Sequence, residues 1–176
     1  MNIPRFFPAV LAALALTGCA GYQHGPIKPT PMANVKTIAV PAFTNETLET
    51  RVEVQLANSV IKQIQQDGTY RIADEKNADA ILEGTIEQIQ RKPERSVHGN
   101  TLLTREYSLI LHVRYKVTDR ATGKELERRS VTGKTTFFVS GTNALAADIL
   151  QDEKQALPIA AEDLATRLVS QISEGW

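Results

Sequence analysis

The chain has 176 residues, enough for one ordinary domain and too few for two well-packed ones. Apolar residues make up 42% and charged residues 23%, which excludes global disorder, and 20 cationic against 20 anionic side chains leave no basic field to attract nucleic acid. One cysteine excludes an internal disulfide and any multi-cysteine metal site, and His24, His98 and His112 are thin material for catalysis.

The first element is an address. Arg5 precedes an apolar run from Phe6 to Leu16, too short to span a bilayer, which takes about 20 residues. The run fits the hydrophobic core of a signal peptide spanning residues 1–18. It ends in Leu16-Thr17-Gly18-Cys19, which resembles the lipobox of bacterial lipoproteins. That resemblance implies cleavage after Gly18, a diacylglyceryl group on the Cys19 thiol and an acyl chain on the new amine. These covalent lipids are the only prosthetic groups expected; no separate cofactor or metal is. Two or more chains hold a protein stably on a bilayer, at about 0.8 kcal/mol per buried CH₂. Ala20 follows the cysteine where retention at the inner membrane favours Asp, so the resemblance implies the outer membrane, on its periplasmic side.

Residues 19–34 then form the acylated cysteine and a linker, with Pro26, Pro29, Pro31, Gly21 and Gly25 denying it any period. Extended at about 3.3 Å per residue, residues 20–34 reach on the order of 50 Å. Residues 35–176 are expected to be a single domain. Val35 to Phe43 is rich in Val and Ile and predicts a first strand, with Pro41 at an edge or near its end. Leu56, Ala57, Val60, Ile61 and Ile64 recur at helical spacing. Thr44, Asn45 and Thr47 offer N-caps for that helix and Gly68 a stop.

Thr69 to Ala73 is an optional short strand. Asp79 to Lys92 is a long one, whose apolar phase slips between Ile86 and Ile89 and so predicts a bulge, with Gly84 as a permissive neighbour. Residues 91–100, with Pro93 and Gly99, predict a hairpin loop. From Thr101 to Thr118, Leu103, Tyr107, Leu109, Leu111, Val113, Tyr115 and Val117 share one parity while polar residues hold the other. Such alternation means a sheet with one face buried and one wet. A turn at 119–123 leads to a further strand over 124–139. Leu157, Ala160, Ala161, Leu164, Leu168 and Ile172 then make a helical stripe, with Pro158 as a kink or as the start of the final helix. The predicted fold is α+β: a mostly antiparallel four-stranded sheet, made of a three-strand meander plus the N-terminal strand, covered by two helices on one face.

Several segments together resemble the lipopolysaccharide-assembly lipoproteins, the LptE family. They are LTGCAGY, VKTIAVPAFTNETLETRVEVQLANSVIKQIQQDG, ADAILEGTI, TREYSLILHVRYKVTDRATGKEL and QALPIAAEDLATRLVSQISEGW. The resemblance implies a non-enzymatic subunit of the outer-membrane translocon, seated as a plug in an LptD-like β-barrel and binding lipopolysaccharide. Other envelope lipoproteins share the early segments, so a periplasmic scaffold or activator for a secretion pore or cell-wall synthase is the second reading.

No catalytic constellation competes with these readings. Ser96 and His98 are close in sequence, but such neighbours seldom face each other, and no GxSxG, HExxH or phosphate loop is present. The basic groups carry more chemistry. Arg91, Lys92 and Arg95 crowd one predicted loop, and Arg128, Arg129 and Lys134 lie on a strand of the same predicted sheet. Arg forks match phosphate bidentately and Lys acts as a point charge, so these six are candidate contacts for an anionic lipid. Ordinary solvated charge is the plainer reading of the six, because charge runs are usually solvated and Glu94, Glu125 and Glu127 lie among them.

The first prediction concerns the anchor. Cys19→Ala removes the only thiol able to take the diacylglyceryl group, so labelled palmitate should no longer enter the chain. Undiminished incorporation would contradict the lipobox reading.

Overall fold

The computed structural model describes residues 28–97, 100–139 and 146–175. A 3-10 turn at Thr30–Met32 is followed by β1 (Thr37–Ala39), β2 (Thr44–Asn45), α1 (Val52–Asp67), β3 (Arg71–Ile72), β4 (Ala80–Val97), β5 (Asn100–Asp119), β6 (Glu125–Phe138) and α2 (Ala146–Glu174). The fold is α+β, as expected, but the sheet is six-stranded and mixed. Its order is β3-β1-β4-β5-β6, with β2 also on β4.

The antiparallel part is the predicted meander. β4 pairs β5 from Ala80↔Asp119 outward, and β5 pairs β6 from Thr118↔Glu125 to Glu106↔Phe138. The predicted phase slip is a real irregularity between Ile86 and Gln88, beyond Gly84, and it turns Ile89 to the same face as Leu82 and Ile86. Residues 91–97 continue β4 instead of forming a loop. Pro93 is tolerated there because β4 has no second neighbour among the described residues once β2 has ended at Ile86.

The four-strand expectation failed on the other half of the sheet. β1 pairs in parallel with both β3 and β4, so β1-α1-β3 is a crossover unit, and β2 is a separate strand parallel to β4. Pro41 interrupts what the composition presented as one strand. The break lets Phe43 lie over Gly84, where an added Cβ would stand 2.4 Å from the ring. The α1 start differs too. Arg51 at its N-cap has φ 70° and no side-chain cap. Asn45 instead shapes the preceding loop, with its Oδ1 accepting from the Thr47 amide at 2.9 Å and its Nδ2 donating to the Glu49 carbonyl at 2.6 Å. At the other end Gly68 has φ 77°, the left-handed stop its position predicted.

Both helices cover one sheet face. Leu56, Val60 and Ile64 of α1, Leu164, Leu168 and Ile172 of α2, and Leu82, Ile86, Leu109, Leu111 and Val117 of the sheet form one fully buried core. Tyr107 is only partly buried. The helix runs through Pro158, so this residue is not its start. Gly133 on β6 carries the closest approach: an added Cβ would lie 2.4 Å from the Ala160 carbonyl oxygen and 2.5 Å from the Leu164 Cβ.

The linker also ends sooner than its composition implies. The Lys28 ammonium donates to the Val35 carbonyl at 2.6 Å and stands 4.6 Å from the Tyr70 ring centroid, and Met32 is fully buried. Asp79 secures the same end. Its carboxylate accepts from the Lys36 and Thr37 amides, each at 2.9 Å, which holds it below the usual aspartate value of 3.8.

Two outcomes follow from this core and its base. Leu111→Ala should cost about 2–5 kcal/mol in chemical denaturation, since the residue is fully enclosed. His112→Ala, on the opposite face, should cost far less, and equal losses would refute the assigned face. Asp79→Ala should cost about 1 kcal/mol at neutral pH, reduced by the site's exposure. Because the folded-state value is depressed, that contribution is present above about pH 4 and disappears as pH falls through the folded value. Denaturation curves of the two proteins should therefore converge in acid; a constant gap would exclude the carboxylate as the cause.

Candidate functional site

Beyond Ile86, β4, β5 and β6 continue as a three-stranded arm, backed on one face by the first half of α2. The long alternating run of β5 explains the arm: Leu109, Leu111, Val113 and Tyr115 sit on a helix-facing surface, and Arg114 and Lys116 sit on the open one. The register decides which candidate goes where. Arg91 pairs with Leu109 and Arg129 with Tyr115, so both belong to the helix-facing side. Lys92 pairs with Ser108, Lys134 with Ile110 and Arg128 with Lys116, so these three belong to the open side. Arg95 lies on β4 opposite Glu106, with its side chain outside the described residues. The six therefore do not form one cluster, because neighbouring residues on a strand point to opposite faces.

Each described group has a distinct setting. The Arg91 guanidinium bonds Glu153 of α2 at 2.8 Å and lies 5.9 Å from the Tyr107 ring centroid. Tyr107 stacks on Phe137 at 5.6 Å, so Arg91 ties helix, strand and ring pair together. Arg129 bonds Glu127 at 3.0 Å and donates to the Gly175 carbonyl at the end of α2. Glu127 also accepts from the Tyr115 hydroxyl at 3.2 Å, and burial raises both the carboxyl and the phenol above their ordinary values. Arg128 is held by Glu125 on its own strand. Arg91 and Arg129 are thus structural ties.

The open face is a lattice of exposed ion pairs. Lys116 meets Glu83 at 2.9 Å, Arg114 meets Glu87, and Lys134 meets Glu94 at 3.2 Å. The hydroxyl of the fully buried Ser108 donates to Glu94 as well. These bonds, with the charge of nearby Lys92, hold Glu94 below the ordinary carboxylate range. Between the pairs, Ile110, His112 and Thr132 form a less charged strip, and the His112 Nε2 is buried without a hydrogen-bond partner. Phe138, 66% exposed, marks the distal end. Sequence reasoning missed this pairing because acids and bases sharing a face lie on different strands; only register joins them.

No group of three or more potential metal ligands exists among the described residues, and none of their helices is long and apolar enough to cross a membrane. Cys19 and His98 lie outside the described residues, as does the Ser96 side chain. What remains is a rigid polar surface on a projecting arm. It can grip a charged partner reversibly by exchanging internal ion pairs for external ones.

Fold and surface together define a two-layer α+β domain with one packed and one polar sheet face. The model of the LptE lipopolysaccharide-assembly family matches residues 35–172, and the chain belongs to that family. No curated protein shows significant sequence similarity to it. Among solved structures, the fold is similar to a PelC L103M dodecamer from Paraburkholderia phytofirmans (17% identical over 83% of this chain and 94% of that one, TM-score 0.53). It is also similar to a minor lipoprotein from Acinetobacter baumannii (20% identical, 79% and 91% covered, TM-score 0.51). Lipoprotein B from Nitrosomonas europaea is a third (13% identical, 79% and 83% covered, TM-score 0.51). At these identities the likeness concerns the fold.

One substitution separates the two kinds of cation. Arg91→Ala removes a tie between α2 and the arm, so it should lower the melting temperature measurably, whereas Lys92→Ala should leave it unchanged. Equal melting temperatures for the two variants would contradict the face assignment.

Proposed function

We propose that this protein is a non-enzymatic lipoprotein subunit of the lipopolysaccharide translocon. Cys19 anchors it to the periplasmic side of the outer membrane, and the folded domain seats in and supports an LptD-like β-barrel. The observation that carries the reading is the family match from residue 35 to 172, which includes all six strands, α1 and α2 as far as Ile172. The fold suits such a role, since a plug needs rigidity and a weak polar grip, and the arm has a packed back and a polar front.

Lipid A presents phosphates, and the open-face cations are the groups able to receive them. Lys134 would exchange Glu94 for a phosphate, with Lys92 beside it. Arg128 would need to leave Glu125. Arg91 and Arg129 are poorer candidates, because moving them would loosen the attachment of α2.

Mild detergent extraction of the full chain should recover a large outer-membrane β-barrel in stoichiometric amount. Recovery of a cell-wall synthase or a secretion pore would favour the scaffold reading instead. For the ligand, Lys92→Ala with Lys134→Ala should weaken lipopolysaccharide binding several-fold at low salt and much less at high salt, because screening already weakens the wild-type contacts there. Unchanged affinity at low salt would remove the open face from ligand binding.

A further inference from the structure

The cations of this chain are treated differently at its two ends. Along the arm and the open face, Arg91, Arg114, Lys116 and Lys134 each meet a carboxylate. At the base, the exposed Lys36, Arg71, Arg120 and Lys124 meet none within ion-pair distance among the described residues. These four are neighbours. The Arg71 amide donates to the Lys36 carbonyl at 2.9 Å, and the Lys36 amide donates to the Asp79 carboxylate at 2.9 Å. The Arg120 amide donates to the Asp79 carbonyl at 2.9 Å, and the Lys124 carbonyl accepts from the Asp119 amide at 2.8 Å. The four therefore follow one another across the sheet at the base ends of β3, β1, β5 and β6.

Acids are present at this end too, but their oxygens are turned to the protein itself. Asp67 accepts from the Thr69 amide and the Ser173 hydroxyl, and Asp79 from the Lys36 and Thr37 amides. Asp119 accepts from the Thr122 amide and hydroxyl, and Glu125 from Arg128. These carboxylates lie back on short stems, whereas Lys and Arg carry their charge outward on long ones. The outermost layer of the base is thus cationic without a large net charge. Between the 119–124 turn and the segment before β1 lies an open hollow of about 620 Å³, with Asn34, Asp79, Arg120 and Lys124 in its lining. The exposed large apolar residues, Leu48, Val54, Phe138, Leu150 and Ile159, all lie away from this end, so nothing here is built to insert into hydrocarbon.

We infer that the base is a second, electrostatic contact with the bilayer, in which Lys36, Arg71, Arg120 and Lys124 receive the phosphates of anionic phospholipid headgroups. The inference rests on the Cys19 anchor of the proposed function and concerns the anchored chain before it meets a protein partner. Residues 20–27 allow about 26 Å between Cys19 and Lys28, and the Lys28 ammonium is bonded to the Val35 carbonyl beside Lys36. The anchor therefore keeps this end close to the leaflet, where contacts too weak to bind alone add to it. A lipid on a linker fixes distance but not orientation. A row of cations across one end supplies the orientation, and it matches a charged plane better than a single soluble anion.

The test uses the full acylated chain in vesicles, with a donor fluorophore on Ala121→Cys in the exposed 119–123 turn and acceptors on the headgroups. Acylation occupies Cys19, so the new thiol is the one labelled. In phosphatidylcholine vesicles containing phosphatidylglycerol, energy transfer from position 121 should exceed that from Thr136→Cys on the distal arm several-fold. Omitting phosphatidylglycerol, or adding enough salt to screen exposed charges, should bring the two positions close together. Lys36→Gln, Arg71→Gln and Lys124→Gln combined should do the same with an unchanged melting temperature, since all three side chains are exposed. Lys62→Gln with Lys154→Gln, which removes charge from the helices instead, should preserve the difference. Equal transfer from both positions in the anionic vesicles would overturn the inference. So would a difference that ignores salt, headgroup charge and the triple substitution. Palmitate incorporation reports the anchor separately: a chain without it loses both readings, whereas an acylated chain with no preferred orientation loses this one alone.

Discussion

The close approach of α2 to β6 at Gly133 is the constraint on which the rest of the molecule depends. A three-stranded meander this long has one apolar face, and an isolated sheet of that kind is not stable in water. Gly133 lets the backbone of α2 come within reach of the sheet, so that Leu164 and Ala160 occupy the space a side chain would have taken. Leu157, Ala161, Leu168 and Ile172 then follow along the same stripe and close the core over Leu109, Leu111 and Val117. Once α2 is fixed, its polar flank is fixed too. Glu153 meets Arg91, Asp163 caps the Lys134 amide, and the helix end receives Arg129. The two faces of the sheet thereby acquire different surroundings, one packed against the helices and one carrying exposed ion pairs.

Much of this was legible in the sequence because periodicity is a local signal with long-range meaning. Tyr107 to Val117 alternate over a run too long to be accidental, and the burial of Leu109, Leu111, Val113, Tyr115 and Val117 follows it. The α2 stripe and the Gly68 stop were equally readable. The parallel half was not. β2 and β3 have two residues each, too few to show a period, and their pairing is decided by distant partners on β4 and β1. Asn45 has the composition of an N-cap, yet its side chain organises the loop before α1, a choice set by Glu49 and Glu53. The candidate cations were found by composition, but composition could not show that Lys92 and Arg91 face opposite ways.

The two ends of the domain differ in a way that suits the proposed role. Lys28, Met32, Tyr70 and Gly175 gather at the base, where the described chain enters the fold, and the arm extends from the opposite end. Only residues 20–27 then lie between Cys19 and Lys28, a reach of about 26 Å at full extension. On the proposed reading the base is kept near the bilayer and the polar arm is presented away from it. The open face needs no strong site. Its ion pairs are exposed and individually weak, so they can be exchanged with a moving anionic ligand without trapping it.

Service in lipopolysaccharide assembly at the outer membrane is tested most directly in cells depleted of the protein. The measurement is the surface arrival of newly made lipopolysaccharide, pulse-labelled and probed for accessibility from outside. Labelled lipopolysaccharide should continue to be made but fail to become accessible, while other outer-membrane lipoproteins still reach their membrane. Undiminished surface arrival in depleted cells would contradict that role.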